Sequence, residues 1–140
     1  MFSPSRDQVR QFFFDAWRKY RKREMLEALE PLAIDIMLLH PEYHAMLDDS
    51  EHYKEKTYSP EAGESNPFLH MSMHLAIEEQ LSIDQPPGIK REFERIATKL
   101  GERHAAFHEV LECLGETVWR AQREGGEPDT QGYLECLKKR

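Results

Sequence analysis

Apolar residues recur at the three-to-four-residue spacing of a helix along almost the whole chain, and no stretch alternates with the period of two that a strand requires. This pattern predicts an all-α fold, a single compact helical bundle of five to seven helices forming one domain over residues 1–140. The first helix is expected to start at Ser3-Pro4, with serine as cap and proline in the first turn; Ser5 and Gln8 also fit a capping box one turn on. Val9, Phe12, Phe13, Ala16, Trp17 and Tyr20 give it an inward face. A second helix is expected over 25–39, with a start near Glu30 because Pro31 suits a first turn, and with Leu29, Leu32, Ala33, Ile36, Met37 and Leu39 inward. His40-Pro41 ends it, since a residue before proline avoids the α region, and Pro41 can open a short third helix.

Residues 48–65 read as a long acidic loop, punctuated by Ser59-Pro60 and Gly63. Asn66-Pro67 opens a helix that runs to about Gln85 and stops at Pro86-Pro87-Gly88. Two more helices follow. One covers 88–100, with Phe93, Ile96, Ala97 and Leu100 inward, and the other 103–124, with a stripe of Phe107, Leu111, Leu114, Val118 and Ala121. A last helix over 129–138 docks through Tyr133, Leu134 and Leu137.

Nineteen Lys+Arg stand against 26 Asp+Glu, a net charge of −7, which argues against a general nucleic-acid binder. The basic residues at the end of the first helix, Arg18 to Arg23, are best read as a solvated helix end, where cations suit the helix dipole. No apolar run approaches the ~18 residues of a membrane span. The opening Met-Phe-Ser-Pro-Ser-Arg-Asp lacks the apolar stretch of a secretory signal, so a cytoplasmic protein without membrane association is expected. A protein partner stays open. Cys113 and Cys136 are too few for a disulfide framework and form no CxxC; they are expected to be small apolar fillers, with a reactive thiol as the minor alternative. Met25, Met37, Met46, Met71 and Met73 are expected to fill the core.

The feature with chemical content is the spacing of histidine. Of the seven histidines, six form three i, i+4 pairs: His40/His44, His70/His74 and His104/His108. Random placement gives roughly 0.3 such pairs. On a helix, i and i+4 share a face with Cβ atoms ~6 Å apart, close enough to share an ion. His70, His74 and Glu78 continue as HxxxHxxxE, as do His104, His108 and Glu112. The helix carrying the first set is apolar nearly all round, so its polar stripe should be buried and need partners. On the later helix Glu112 lies about 140° from Phe107 and should face water, which leaves Glu78 as the inner carboxylate. His52, in the acidic loop, is expected to be exposed.

Two functional readings follow. In the first, His40, His44, His70, His74, Glu78, His104 and His108 converge from three segments and hold a divalent transition metal such as Zn, Ni, Cu, Fe or, with the carboxylate, Mn. Glu42, Tyr43, Glu79 or Asp84 would orient the ligands. If the site is catalytic, the metal would activate water for hydrolysis with Glu78 or Glu79 as base; the absence of HExxH removes the zincin protease reading. In the second, the protein is a non-catalytic interaction module with no cofactor, and the histidines form a structural hydrogen-bond network.

The segments His-Pro-Glu-Tyr-His at 40–44 and Asn-Pro-Phe-Leu-His-Met-Ser-Met-His-Leu-Ala-Ile-Glu-Glu-Gln-Leu-Ser-Ile-Asp-Gln-Pro-Pro-Gly-Ile at 66–89 resemble a family of short bacterial proteins catalogued as a domain of unknown function. The Ser-Arg-Asp-Gln-Val-Arg start and Glu112-Cys113-Leu114-Gly115-Glu116 look like it as well. The resemblance covers essentially the whole chain. It implies a bacterial cytoplasmic protein with one helical domain, and carries over no activity.

Overall fold

The computed structural model describes residues 6–59 and 65–140, so the expected caps at Ser3 and Ser5 and the loop residues Pro60 and Gly63 lie outside the described residues. Among the described residues the secondary structure is helix throughout: α1 (Arg6–Arg21), α2 (Glu30–Leu38), a 3₁₀ turn (Pro41–Tyr43), α3 (His44–Leu47), α4 (Ser50–Tyr53), α5 (Pro67–Ile83), α6 (Ile89–Leu100), α7 (Arg103–Glu124) and α8 (Thr130–Lys138). The all-α expectation holds. The helix count exceeds the expected range because residues 41–53 break into a 3₁₀ turn and two single-turn helices. One of these, α4, falls inside the stretch read as loop, where the Asp49 carboxylate accepts the His52 N–H. No helix among the described residues is long and apolar enough to cross a membrane.

The helix ends follow local chemistry. The Asn66 side-chain oxygen accepts the N–H groups of Phe68 and Leu69, at 3.0 and 3.3 Å, with Pro67 at the first helical position of α5. Asp84 accepts the Lys90 N–H at 3.0 Å and so caps the start of α6. Gly101 and Gly125, at φ 77° and 72°, end α6 and α7 in the left-handed conformation that glycine adopts without a Cβ clash.

The chain gathers into two units, Met1–Leu75 and Ala76–Arg140. The first is built on Phe13, Phe14 and Trp17 of α1, Ala33, Ile34, Ile36 and Met37 of α2, Met46 and Leu47 of α3, and Phe68 and Met71 of α5. Arg10 lies in it, 2% exposed. Its guanidinium donates to the carbonyls of Tyr53, Lys54 and Lys56 at 3.3, 3.1 and 2.7 Å and stacks over Phe68 at 4.7 Å. The inward face of α1 thus includes Arg10 and Phe14, which a hydrophobicity pattern passes over, and leaves Tyr20 at the surface. Met25 is not core filler as expected: it follows the end of α1 and is 84% exposed.

Glu30 secures the entry to α2. Its carboxylate accepts the Glu27 N–H at 2.8 Å and pairs with Lys19 at 3.0 Å. The backbone hydrogen bond first, and Lys19 second, hold its carboxyl below the ordinary value near 4.5. A depressed carboxyl contributes stability above its unfolded pKa, which is lost as pH falls through the folded one. Glu30→Gln should therefore lose about 1–2 kcal/mol at pH 7, as expected for hydrogen bonds to a charged group. The gap to the wild type should close below about pH 4.5. Urea unfolding at pH 7 and pH 3 checks this; an equal gap at both would count against the role assigned to the charge.

The second unit packs Ile77 and Leu81 of α5, Ile89, Phe93 and Ile96 of α6, Ala106, Phe107, Val110 and Cys113 of α7, and Tyr133 and Leu137 of α8. Two expectations change here. The buried stripe of α7 is Ala106, Phe107, Val110, Cys113 and Thr117, about one residue round the helix from the expected Phe107–Leu111–Leu114–Val118 line, and Val118 is exposed. The cysteines are not free fillers: Cys113 and Cys136 form a disulfide between α7 and α8, with Cα atoms 5.9 Å apart, well inside bonding geometry. That bond ties the Cys113 side of α7 to α8. Helix α5 is not apolar-buried all round either, since Leu69 is 59% exposed.

Candidate metal centre

Pro41 determines where His40 goes. It keeps His40 out of the α region, at φ −126° and ψ 69°, so the chain turns at the end of α2 and the His40 ring lies back under it, buried. Its Nδ1–H donates to the Ile36 carbonyl at 2.9 Å, which leaves Nε2 with its lone pair outward. On α5, His70 and His74 sit one turn apart, with ring centroids 4.8 Å apart. His74 is 1% exposed and His70 is half-buried.

These three rings meet within the first unit. His40 Nε2 lies 3.1 Å from His70 Nε2. The His40 ring stands edge-on to both His70 and His74, at 4.9 and 5.0 Å between centroids. One nitrogen from each of the three lies within 4.8 Å of one from each of the others. Tyr43 covers the group, stacked on His40 at 5.1 Å with planes 6° apart and edge-on to His70 at 6.2 Å. Burial, with the Glu42 carboxylate adding to it, pushes the Tyr43 phenol above its ordinary pKa, so it stays a neutral donor across the physiological range.

The geometry suits a transition metal. Two ligands on one tetrahedral ion, each at ~2.1 Å, stand about 3.4 Å apart, close to the His40–His70 separation. The carbonyl that orients His40 is the kind of outer partner metal-bound imidazoles take. All-nitrogen ligation favours Zn, Cu, Ni or Fe over Ca and Mg.

Two of the other expected ligands, His44 and Glu78, make other contacts. His44 shares no helix with His40, because the 3₁₀ turn intervenes. Its Nε2–H donates to the Met37 carbonyl at 2.8 Å and its ring packs on Trp17 at 4.6 Å, so it supports the fold of the first unit. Glu78 pairs with Arg103 at 2.9 Å within the second unit. His104 and His108 stand one turn apart on α7, with ring centroids 4.4 Å apart. Glu112 binds Arg140, at the surface as expected. His52 is exposed beside Asp49, also as expected. Of the outer residues named from sequence, Tyr43 is at the cluster and Asp84 caps α6. Sequence reading missed the Ile36 carbonyl, for which a spacing pattern holds no signal.

The sequence matches the family described as Domain of unknown function (DUF1841) over residues 5–139. No curated protein matches the chain. No solved structure matches it either.

Proposed function

We propose that this chain, which belongs to the DUF1841 family over residues 5–139, binds a divalent transition metal through His40, His70 and His74. The observation that carries the reading is the meeting of three imidazoles from two separate elements, with one ring already oriented by a carbonyl. Three neutral nitrogens leave a tetrahedral ion one position for water or substrate, and activation of that water for hydrolysis is the chemistry such a centre supplies. Tyr43, neutral and stacked on His40, would donate a hydrogen bond at its rim.

A second reading is favoured by one contact. At 3.1 Å, His40 and His70 are also at hydrogen-bond distance, with His70 donating, as in a structural network inside a non-catalytic interaction module.

Elemental mass spectrometry on untagged protein separates the two. The metal reading expects close to one equivalent of a single transition metal, retained through desalting, and less than a tenth of that in His40→Ala/His74→Ala. Metal-free protein that also fails to take up Zn(II), Ni(II) or Fe(II) on dialysis would establish the network reading. Because the double variant removes buried side chains, its circular dichroism is measured in parallel. If it unfolds, the dialysis result on the wild type decides.

A further inference from the structure

The second unit carries a separate chemical feature in the Cys113–Cys136 disulfide. The two sulfurs are unequal. Cys113 is fully buried in α7, whereas Cys136 is only partly buried on α8. Both line an open cleft of about 420 Å³, within the size range of small-molecule sites. The cleft wall bears both signs of charge, Arg120 paired with Glu116 at 2.7 Å, and Lys139 and Glu135. Helix α8 has anchors besides the disulfide: Tyr133 and Leu137 are buried on either side of Cys136, Arg95 donates to the Leu137 carbonyl at 2.8 Å, and Arg140 binds Glu109 and Glu112 at 2.8 and 2.6 Å. Opening the S–S bond therefore leaves α8 docked, and exchange can occur in the folded protein.

We propose that Cys136 is a thiol–disulfide exchange site for a small zwitterionic thiol peptide seated in this cleft. Its carboxylates would meet Lys139 and Arg120, its ammonium Glu135 and Glu116, the ligand exchanging the Arg120–Glu116 ion pair for its own two charges. The peptide thiolate attacks Cys136 Sγ, the sulfur it can reach. A peptide–Cys136 bond forms, the Cys113–Cys136 bond breaks, and Cys113 leaves as a thiolate that takes up the proton lost by the peptide thiol. In the reverse step Cys113 attacks Cys136 Sγ and expels the peptide thiolate. If a second peptide thiol attacks the mixed disulfide instead, the products are the peptide disulfide and two protein thiols, with two electrons passed to the protein. Buried Cys113 is the resolving residue and Cys136 the residue modified. This inference does not depend on the histidine cluster.

Glutathione is the probe. With oxidised glutathione, folded Cys113→Ser is expected to gain one adduct, on Cys136 by peptide mapping, and Cys136→Ser less than a tenth as much. In the wild type, reduced glutathione is expected to open the disulfide at least threefold faster than 2-mercaptoethanol at equal thiolate concentration. Arg120→Ala/Lys139→Ala should bring that ratio close to one. Equal labelling of the two single-cysteine variants, labelling only of Cys113, or a ratio near one in the wild type would overturn the proposal. If Cys113→Ser does not fold, the wild-type ratio and its loss in the charge variant carry the test alone.

Discussion

Zinc at a hundredfold excess over its dissociation constant is expected to raise the unfolding midpoint of the wild-type protein by roughly 5–10 °C, and His74→Ala to abolish the rise. The size follows from linkage: a ligand bound only by the native state adds about 2.7 kcal/mol at that excess, and for a chain near this length each kcal/mol moves the midpoint by about 2–4 °C. His74 is the ligand to remove because it is the most buried of the candidate nitrogens on α5. His52→Ala serves as the control, since His52 lies exposed in α4, and should keep the full shift. Calcium should produce none, because a set of imidazoles suits a hard cation poorly. Differential scanning fluorimetry after chelation and reloading provides the measurement. A zinc shift that survives His74→Ala would place binding elsewhere and end the three-histidine assignment.

The second large effect is expected at Arg10. Arg10→Met should destabilise the protein by about 3 kcal/mol, at about 1 kcal/mol for each of the hydrogen bonds lost. Three carbonyls, those of Tyr53, Lys54 and Lys56, lose their shared donor, and the stacking on Phe68 goes with it. Methionine matches the length of the stem, so loss of the hydrogen bonds, rather than a cavity, should dominate. Arg10→Lys should recover part of the loss, because an ammonium carries the charge and three donors but lacks the planar guanidinium that lies over Phe68. The urea midpoint should fall without a change in slope. Amide exchange should quicken first over residues 54–58, the stretch that Arg10 ties down. A loss under about 1 kcal/mol would mean that water replaces the guanidinium at little cost.

Both effects arise where pattern reading is weakest. Nothing in the sequence pattern singles out Arg10, because a periodicity argument ranks residues by apolarity and cannot see that three distant carbonyls await a donor. The histidines were conspicuous, yet spacing alone treated the three pairs as equivalent. The His40/His44 pair assumes an unbroken helix, and Pro41 breaks it. His40 is thereby sent to His70 and His74, while His44 goes to Trp17 and Met37. Pro41 marks a helix stop in the sequence, but a stop does not say where the side chains beside it point.

The sequence by itself determined the all-α class and most helix limits. Asn66-Pro67 starts α5, Gly101 and Gly125 end α6 and α7, and the Glu30 start of α2 follows from Pro31. These are local events, governed by backbone conformation and by hydrogen bonds within a turn, so the residues beside each boundary suffice to place it. The tertiary structure alone decided which face of α7 is buried and that Cys113 bonds Cys136. Ala106, Cys113 and Thr117 are small and weakly apolar, and their burial comes from the packing of other helices on α7; the bonded pair alone spans 23 residues of sequence. Which of six paired histidines come together was decided at the same level, because convergence depends on how separate helices pack and not on the period within any one of them.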